Sequence, residues 1–512
     1  MASSSTSMNL LRMVVCVVAA GLPAGAGVVQ GVVLEQASGR PMARTQIRLV
    51  PVPKSGHAGS PFAARTGLGG QYSFLSVPEG LYIVTASRSY YFPASYGQRL
   101  PGGRGTPLEV KEDSNVYVEL HLRRMGAITG HVLDENGIGL PDIPVIAYRA
   151  RLPLRIVGSA VSDDRGIYRI HGLFPGKYWV RTGPHTLDDG TGMPPTFSPE
   201  ARESSESRAY IVAVDSETSD ADIRPIPGPL FHLGGIIQCE PMGFPVIVRL
   251  VSETGSRTAG TKCGSDYSFQ GLAPANYEIY AQTEGGAAAG FVELFLDHDS
   301  ESGGVRASPA PRVDVQFQLA GGGSVSGSSV TLIARHPDLA DTGPEIEIKP
   351  PQTMLPGHWE MGAKTGPGAY VESITNYGGG SRRGVRLERS SEWFEVFIGA
   401  YIQMLQVVIA QNAGHVTGTV QADKTAVAGI PVFLWPVAEQ ARRSLRGPVQ
   451  ALSDVNGQFR FDGLPPGDYR LVASYDLSDI DEESIELAKA VVVHVDQSQT
   501  ANADLAPWLA PY

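Results

Sequence analysis

The architecture of this protein can be predicted from a stretch that its sequence repeats, Ser162-Asp-Asp-Arg-Gly-Ile-Tyr-Arg-Ile-His-Gly-Leu-Phe-Pro-Gly-Lys-Tyr-Trp-Val180. The Asp-x-x-Gly pattern predicts a turn, because the Asp side chain bonds to the backbone just ahead and Gly adopts a positive φ. After this turn, Tyr168 and Ile170 alternate with their neighbours in the two-residue period of a half-buried strand. Tyr178 and Val180 alternate in the same way after the Pro-Gly turn. The stretch therefore predicts a β-hairpin with an aromatic and aliphatic inner face.

Other copies of this stretch show that the chain is built from repeats. The copies lie at residues 66–84, 262–279 and 453–471, and a strand–turn–strand pattern precedes each of them. That pattern contains Gly31, Gly130, Gly235 and Gly418, which follow one another at about 100 residues and, for the last interval, about twice that. The double interval predicts a degenerate fourth repeat. We expect residues 326–333 to be its opening strand, residues 355–361 to be its hairpin, and the Gly-rich residues 321–327 to be a flexible join before it.

The composition favours strands over helices. The 512 residues include 60 Gly and 38 Pro, and only 18% are charged, whereas long solvated helices need more Lys and Glu. We predict an all-β protein, a tandem array of about five immunoglobulin-like or transthyretin-like β-sandwich modules. The expected segments are a signal peptide over 1–26 and β-sandwich repeats over 27–124, 125–226, 227–320, 321–412 (degenerate) and 413–512. One helix is expected over 480–490, with Ser478 and Asp481 as its cap.

The N-terminus has the three regions of a secretory signal. One positive charge precedes a short apolar run that begins at Met13, and Ala24-Gly-Ala26 fits a cleavage site. A first strand or a membrane anchor is the alternative. The apolar run is too short for a transmembrane helix, which needs about 20 residues, and no second run of that length follows. We therefore expect an exported protein, periplasmic, at the outer surface or extracellular, without a transmembrane segment after cleavage.

Charge and cysteine content limit the possible partners further. The net charge is −11 and Lys and Arg form only isolated pairs, whereas nucleic-acid binding needs a concentrated positive face. Cys16 leaves with the signal, so that Cys239 and Cys263 remain in an exported chain, which predicts one disulfide. The repeats align these cysteines with Asp134 and Asp164, at the end of the first strand and the start of the hairpin turn. Two free thiols are the alternative.

The repeated motifs resemble those of a known domain family. The Gly-x-Val opening, the Gly-x-Pro-Val strand and the Asp-x-x-Gly-x-Tyr stretch ending in Gly-Leu-x-Pro-Gly-x-Tyr resemble the carboxypeptidase regulatory-like domain. The resemblance covers nearly all of the mature chain and is weakest in the fourth repeat. It implies a small transthyretin-like sandwich that is itself non-catalytic and that occurs in arrays in bacterial surface proteins and ahead of TonB-dependent receptors. Carbohydrate binding is suggested by neighbouring superfamilies, and fold analogy alone cannot establish it.

A search for catalytic motifs favours a binding protein over an enzyme. His298-Asp-Ser-Glu301 matches the His-x-x-Glu pattern of zinc carboxypeptidases but lies in a Gly- and Asp-rich loop. We expect no catalytic residues, no metal and no cofactor. The densest aromatic cluster, Tyr90, Tyr91, Phe92 and Tyr96, is a candidate for ligand binding, because exposed aromatic rings stack on sugars or anchor proteins. Ordinary packing within the module is the alternative.

The sequence therefore predicts a non-catalytic exported protein for cell-surface binding, adhesion or scaffolding, with a glycan or an envelope protein as its partner. An accessory or relative of a TonB-dependent outer-membrane uptake system is the alternative. A peptidase or glycosidase would need a site with converging polar groups that the sequence does not show.

Overall fold

The chain forms five β-sandwich modules. A computed structural model describes residues 26–53, 59–150, 154, 156–252, 255–323, 330–336, 345–377, 391–477 and 480–509. The modules comprise residues 26–122, 126–218, 231–309, 312–410 and 414–502, and each has its own hydrophobic core. This is the all-β tandem array that the sequence predicts. The expected signal peptide lies almost entirely outside the described residues.

The first three modules contain the following strands. The first module has β1 (Ala26–Glu35), β2 (Gln46–Pro51), β3 (Phe62–Arg65), β4 (Gln71–Pro78), β5 (Gly80–Ser87), β6 (Ala94–Ser95), β7 (Leu108–Val110) and β8 (Asn115–Leu122). The second has β9 (Gly126–His131), β10 (Pro144–Arg149), β11 (Ile156–Val161), β12 (Ile167–Leu173), β13 (Gly176–Thr182), β14 (His185–Thr186), β15 (Gly192–Met193), β16 (Tyr210–Val212) and β17 (Glu217–Thr218). The third has β18 (Phe231–Gln238), β19 (Pro245–Ser252), β20 (Gly255–Lys262), β21 (Asp266–Leu272), β22 (Ala275–Thr283), β23 (Ala288–Leu296), β24 (Val305–Arg306) and β25 (Ser308–Pro309).

The last two modules contain the remaining strands and two short α-helices. The fourth module has β26 (Arg312–Leu319), β27 (Thr331–Arg335), β28 (Ile346–Ile348), β29 (Gln352–Thr353), β30 (Gly357–Lys364), β31 (Tyr370–Asn376), β32 (Phe394–Ile398) and β33 (Gln403–Ala410). The fifth has β34 (Gly414–Thr419), β35 (Gln421–Ala422), β36 (Thr425–Ala426), β37 (Pro431–Pro436), α1 (Glu439–Leu445), β38 (Val449–Leu452), β39 (Gln458–Leu464), β40 (Gly467–Ala473), α2 (Glu482–Leu487), β41 (Val491–Val495) and β42 (Thr500–Asn502).

The modules share one topology. In the first sheet, the opening strand lies between an antiparallel partner and a parallel strand from the end of the module, as in β4-β1-β8, β12-β9-β17, β21-β18-β24 and β39-β34-β42. The second sheet is built around the antiparallel pairs β2-β5, β10-β13, β19-β22, β27-β30 and β37-β40. The two sheets bury their inner faces against each other, which is the layer arrangement of a sandwich.

The prediction that the repeated stretch forms a β-hairpin is wrong. β12 pairs with β9, whereas β13 pairs with β10 and β16, so the two strands lie in opposite sheets. Gly172 has a φ of +80°, and the register of β12 shifts between His171 and Leu173, where the strand leaves its sheet. The predicted inner faces are correct, because Tyr168 and Tyr178 are buried. Alternation within a strand fixes which side chains are buried but not which strand is its partner.

A hydrogen bond repeated in all five modules holds this crossing between sheets. In the first three modules a Tyr hydroxyl donates to the backbone carbonyl four residues earlier: Tyr82 to Pro78 at 2.8 Å, Tyr178 to Phe174 at 2.6 Å and Tyr277 to Ala273 at 2.9 Å. Tyr469 makes the same bond to Pro465. In the fourth module Trp359 Nε1 donates to the Leu355 carbonyl at 2.9 Å. The Trp indole thus replaces the Tyr hydroxyl where the repeat is degenerate.

The fourth module begins earlier than the sequence predicts. Residues 312–319 were expected in the third repeat, but β26 pairs in parallel with β33, as the opening strand of every other module does with a strand near the end of that module. The expected opening strand at 326–333 lies partly outside the described residues, and β27 begins at Thr331 in the second sheet. Gly322 donates its N–H to the Leu319 carbonyl at 2.9 Å, in a turn that follows β26. The Gly-rich segment therefore follows the opening strand and does not precede it.

The two helices lie in the fifth module. The predicted helix forms as α2, and its N-cap is Asp481, whose carboxylate accepts the Ser484 N–H while Ser484 Oγ accepts the Asp481 N–H. Ser478, expected to take part in the cap, lies outside the described residues. The sequence does not predict α1, which packs against β31 of the fourth module: Gln440 Nε2 donates to the Glu372 carbonyl, and Ser444 Oγ donates to the Val371 carbonyl at 2.6 Å. Within the described residues, neither helix has the length and apolar character that a membrane span requires.

The array folds back so that the fifth module contacts the first. Arg99 Nη1 lies 3.1 Å from Asp476 Oδ2, and the Arg104 N–H donates to the Tyr475 carbonyl at 2.7 Å. The carboxylate of Asp476 is only 1% exposed at this joint. Contacts also join the first module to the second, the third to the fourth and the fourth to the fifth. Since the second and third modules are consecutive in the chain, the contact between the fifth module and the first closes the five modules into a ring.

Candidate functional site

Most of the predicted aromatic cluster forms the joint between the first and second modules. Phe92 is 2% exposed, and its ring contacts that of Phe174 with centroids 5.3 Å apart. Tyr90 is 63% exposed, but its ring makes an edge-to-face contact with that of His171 in the second module, with centroids 4.9 Å apart. Two rings of the cluster therefore support the contact between modules, whereas the packing alternative expected contacts within the first module.

Tyr91 belongs to a polar network at the same joint. Glu35 accepts hydrogen bonds from Ser38, from the Tyr91 hydroxyl at 2.8 Å and from Arg124 Nε at 2.8 Å. Together with Arg40, these donors hold the pKa of Glu35 at about 2, the Ser38 bond having the largest effect. Because Glu35 ends β1 and Arg124 lies in the connection to the second module, the network fixes how the two modules meet. Tyr91 is thus part of a structural network.

Tyr96 lies apart from these residues and borders a cleft. The cleft has a volume of about 520 Å³ and runs between the loop over residues 92–101 and the solvent face of β8. Tyr96 is 38% exposed at one wall. On β8, His121 Nε2 lies 2.7 Å from Glu119 Oε1, and both side chains line the cleft together with Gln36 and Arg123. An aromatic ring, a carboxylate–imidazole pair and a guanidinium thus converge on one opening.

Two basic residues of the cleft connect it to other modules. Arg123 Nε donates to Asp215 Oδ2 of the second module at 2.8 Å. Arg99 makes the ion pair with Asp476 of the fifth module. The cleft therefore lies where three modules meet, and its shape depends on both joints.

Sequence reasoning missed Glu119 and His121, although a signal for them exists. In β8 the side chains alternate between buried and exposed, with Val118, Leu120 and Leu122 in the core. The same alternation places Glu119 and His121 together on the opposite, solvent face. What the sequence does not show is that the loop over 92–101 folds over this face.

The other predicted positions have structural surroundings. Cys239 and Cys263 form a disulfide with their Cα atoms 5.1 Å apart, and both residues belong to the hydrophobic core of the third module. His298 and Glu301 do not face a common point: His298 Nδ1 lies 2.5 Å from Asp297 Oδ1, and Glu301 Oε1 lies 2.9 Å from His232 Nε2. The His-x-x-Glu pattern therefore does not form a zinc site here.

The described chain thus defines a class: an all-β tandem array of β-sandwich modules. No family model matches the sequence and no curated protein matches it, so the resemblance to the carboxypeptidase regulatory-like domain stays an expectation. Among solved structures, the chain is similar to the minor pilin GBS52 of Streptococcus agalactiae at 12% identity and a TM-score of 0.26, over 40% of this chain and 97% of that one.

Two further solved structures show the same distant likeness. The shaft pilin SpaA of Lactobacillus rhamnosus GG is 11% identical with a TM-score of 0.25, over 40% of this chain and 98% of that one. The Bacillus anthracis TIE protein is 11% identical with a TM-score of 0.18, over 94% of this chain and 73% of that one. At these values the likeness carries no inference about function, and the description of the fold depends on the sheets of this chain alone.

Proposed function

We propose that this protein is a non-catalytic, exported cell-surface binding protein, and that the cleft beside Tyr96 in the first module binds a glycan. The observation that carries the proposal is the convergence of an exposed Tyr ring, the Glu119–His121 pair and Arg123 on one cleft of about 520 Å³. An aromatic face packs against the C–H groups of a sugar ring, and charged groups make the strongest hydrogen bonds to its hydroxyls. The volume is that of a small-ligand site.

The groups in the cleft favour binding over hydrolysis. Glycoside hydrolysis needs two carboxyl groups on opposite sides of the scissile bond, about 5–9.5 Å apart. Among the described residues that line the cleft, Glu119 is the one carboxylate, and it is engaged by His121. The described lining therefore supplies one carboxylate where a glycosidase uses two, which favours binding.

The ring of modules suits a surface scaffold. Each sandwich buries its own core, and the joints use specific pairs such as Arg99 with Asp476, so the cleft has a fixed orientation within a larger body. A rigid site loses less conformational entropy when it binds a ligand than a mobile one does. This supports a role in holding a ligand at the cell surface.

The test is a glycan array and titration of residues 27–512, with three forms of the protein. We expect saturable binding to at least one polysaccharide or oligosaccharide, and Tyr96→Ala should weaken it by about tenfold or more, the loss of about 1.4 kcal/mol. Tyr117→Ala is the matched control, since Tyr117 is an exposed Tyr of β8 outside the cleft lining. The proposal is wrong if no glycan binds or if both variants bind equally. Recovery of an envelope protein as the sole ligand would also reject it.

A further inference from the structure

The outer face of one sheet in the third module is buried by the fourth module. In β22, Tyr277 and Ile279 face the core, so that Glu278 and Tyr280 point to the other face. Both outward residues are nevertheless only 5% exposed. The fourth module covers them. The ring centroids of Tyr280 and His336 are 5.0 Å apart, and those of Phe291 on β23 and His358 are 5.9 Å apart.

Two glutamates and a histidine meet in this covered face. Glu278 and Glu293 are directly opposite each other on the antiparallel strands β22 and β23. His358 of β30 approaches them from the fourth module, with its Nε2 3.9 Å from Glu278 Oε1 and 3.8 Å from Glu293 Oε2. One ligand atom from each of the three residues lies within 4.8 Å of the others. Tyr280 donates its hydroxyl to the second oxygen of Glu278 at 2.7 Å.

The geometry of this cluster suits a bound cation. Two carboxylates that lie opposite each other on adjacent strands and an imidazole from the facing module are groups that coordinate metal ions in proteins. The two distances to His358 are too long for hydrogen bonds. They are close to the separation of about 3.3–3.5 Å that two ligands have when both bind one tetrahedral ion at 2.0–2.1 Å. A movement of about 0.5 Å would bring the imidazole to that separation.

We propose that Glu278, Glu293 and His358 bind one divalent transition-metal ion, for which Zn²⁺ is the best match, at the joint between the third and fourth modules. Two carboxylates balance the charge of the ion, and three protein ligands with an imidazole among them suit Zn²⁺, whereas Ca²⁺ and Mg²⁺ prefer oxygen ligands alone. The Tyr280 hydroxyl orients Glu278 from outside the ligand set. The sequence predicts no metal site, because the three residues are far apart in the chain and match no spacing motif.

Such an ion would act as a clamp between modules. Glu278 and Glu293 belong to the third module and His358 to the fourth, so that binding links two units that also meet through aromatic contacts. Metal binding contributes to stability in proportion to its free energy, because the separated modules do not present all three ligands. The unfolding temperature of these two modules should therefore rise with the concentration of free Zn²⁺.

The experiment is equilibrium dialysis of residues 27–512 against ZnCl₂ after treatment with EDTA, with bound metal measured by mass spectrometry. We expect one equivalent of Zn²⁺ in the unmodified protein, loss of that equivalent in His358→Gln and in Glu293→Gln, and about tenfold weaker binding in Tyr280→Phe. His232→Gln is the matched control. His232 is a histidine of the third module that pairs with Glu301 at 2.9 Å, and its replacement should leave the stoichiometry unchanged.

Two further measurements test the folding of the variants and the ligands of the bound ion. Circular dichroism establishes that each variant is folded, and if His358→Gln is not, Glu293→Gln provides the comparison because Gln has the same shape as Glu. X-ray absorption of the Zn²⁺ form should show one imidazole nitrogen and carboxylate oxygens at about 2.0–2.2 Å. Absence of bound Zn²⁺, or binding that both ligand variants retain, overturns the proposal.

Discussion

Replacement of Arg99 by Ala should open the ring of modules. Arg99 pairs with Asp476, whose carboxylate is 1% exposed between the first and fifth modules. Removal of one partner from a buried ion pair costs about 3–5 kcal/mol, because the remaining charge stays in a poorly solvated place. In this protein the charge can regain water if the two modules separate. The substitution therefore favours the open form by a substantial part of that free energy.

The size of the particle reports this opening. β1 has ten residues, which gives a module length of about 33 Å at 3.3 Å per residue, and an isolated module of 100 residues has a radius of gyration of about 13 Å. Five modules arranged in a ring then have a radius of gyration of about 31 Å, and the same modules in a straight line have one of about 48 Å. We expect small-angle scattering to give a value near the first for the unmodified protein and a clearly larger one for Arg99→Ala.

Two further variants distinguish the ion pair from a general loss of positive charge. Arg165→Ala removes a cation that is 72% exposed and pairs with Asp163 on a turn of the second module, so its scattering should be unchanged. The double variant Arg99→Ala with Asp476→Ala removes both members of the ion pair and should recover part of the closed form. A radius near 48 Å for the unmodified protein, or an unchanged radius in Arg99→Ala, would refute the reasoning.

Three other predictions concern single modules and their joints. Tyr178→Phe should destabilise the second module by about 1 kcal/mol, since it removes the hydroxyl that donates to the Phe174 carbonyl, and urea unfolding measures this loss. Reduction of the Cys239–Cys263 disulfide should destabilise the third module by about 3.5 kcal/mol for a separation of 24 residues, measured by thermal unfolding with and without dithiothreitol. The lowered pKa of Glu35, about 2 in the folded protein, means that its stabilisation is present above pH ~4.5 and is lost as the pH falls towards 2.

Each of these predictions has a control variant or a result that would contradict it. Tyr117→Phe changes an exposed hydroxyl and should leave the unfolding curve unchanged. Equal effects of Tyr117→Phe and Tyr178→Phe would contradict the stabilising role of the hydrogen bond from Tyr178 to the Phe174 carbonyl. Replacement of both cysteines by Ser should reproduce the effect of reduction and abolish sensitivity to dithiothreitol. Glu35→Gln should flatten the pH dependence of the first two modules between pH 5 and 2, and an unaltered dependence would assign it to other groups.

The candidate site, like the fold, could be predicted from the sequence only in part. The aromatic cluster is recognisable in the sequence, but the structure uses Tyr90, Tyr91 and Phe92 at a joint and leaves Tyr96 at the cleft. A run of aromatic residues has the same appearance whether it packs on a neighbouring module or faces a ligand. The difference arises from what the second module covers.

Local pattern was sufficient for the properties that a single strand possesses. The alternation around Tyr168 and Tyr178 correctly gives the buried side chains, and the spacing of the repeats gives the number of sandwiches, because both follow from the two-residue period of a strand and the size of a small core. The hairpin and the boundary before β26 were wrong, and the sequence left the arrangement of the modules open, because each depends on which distant strand or module is the partner. The pairing of β12 with β9, of β26 with β33 and of Arg99 with Asp476 joins residues far apart in the chain. Such contacts follow from packing in three dimensions, which no local period encodes.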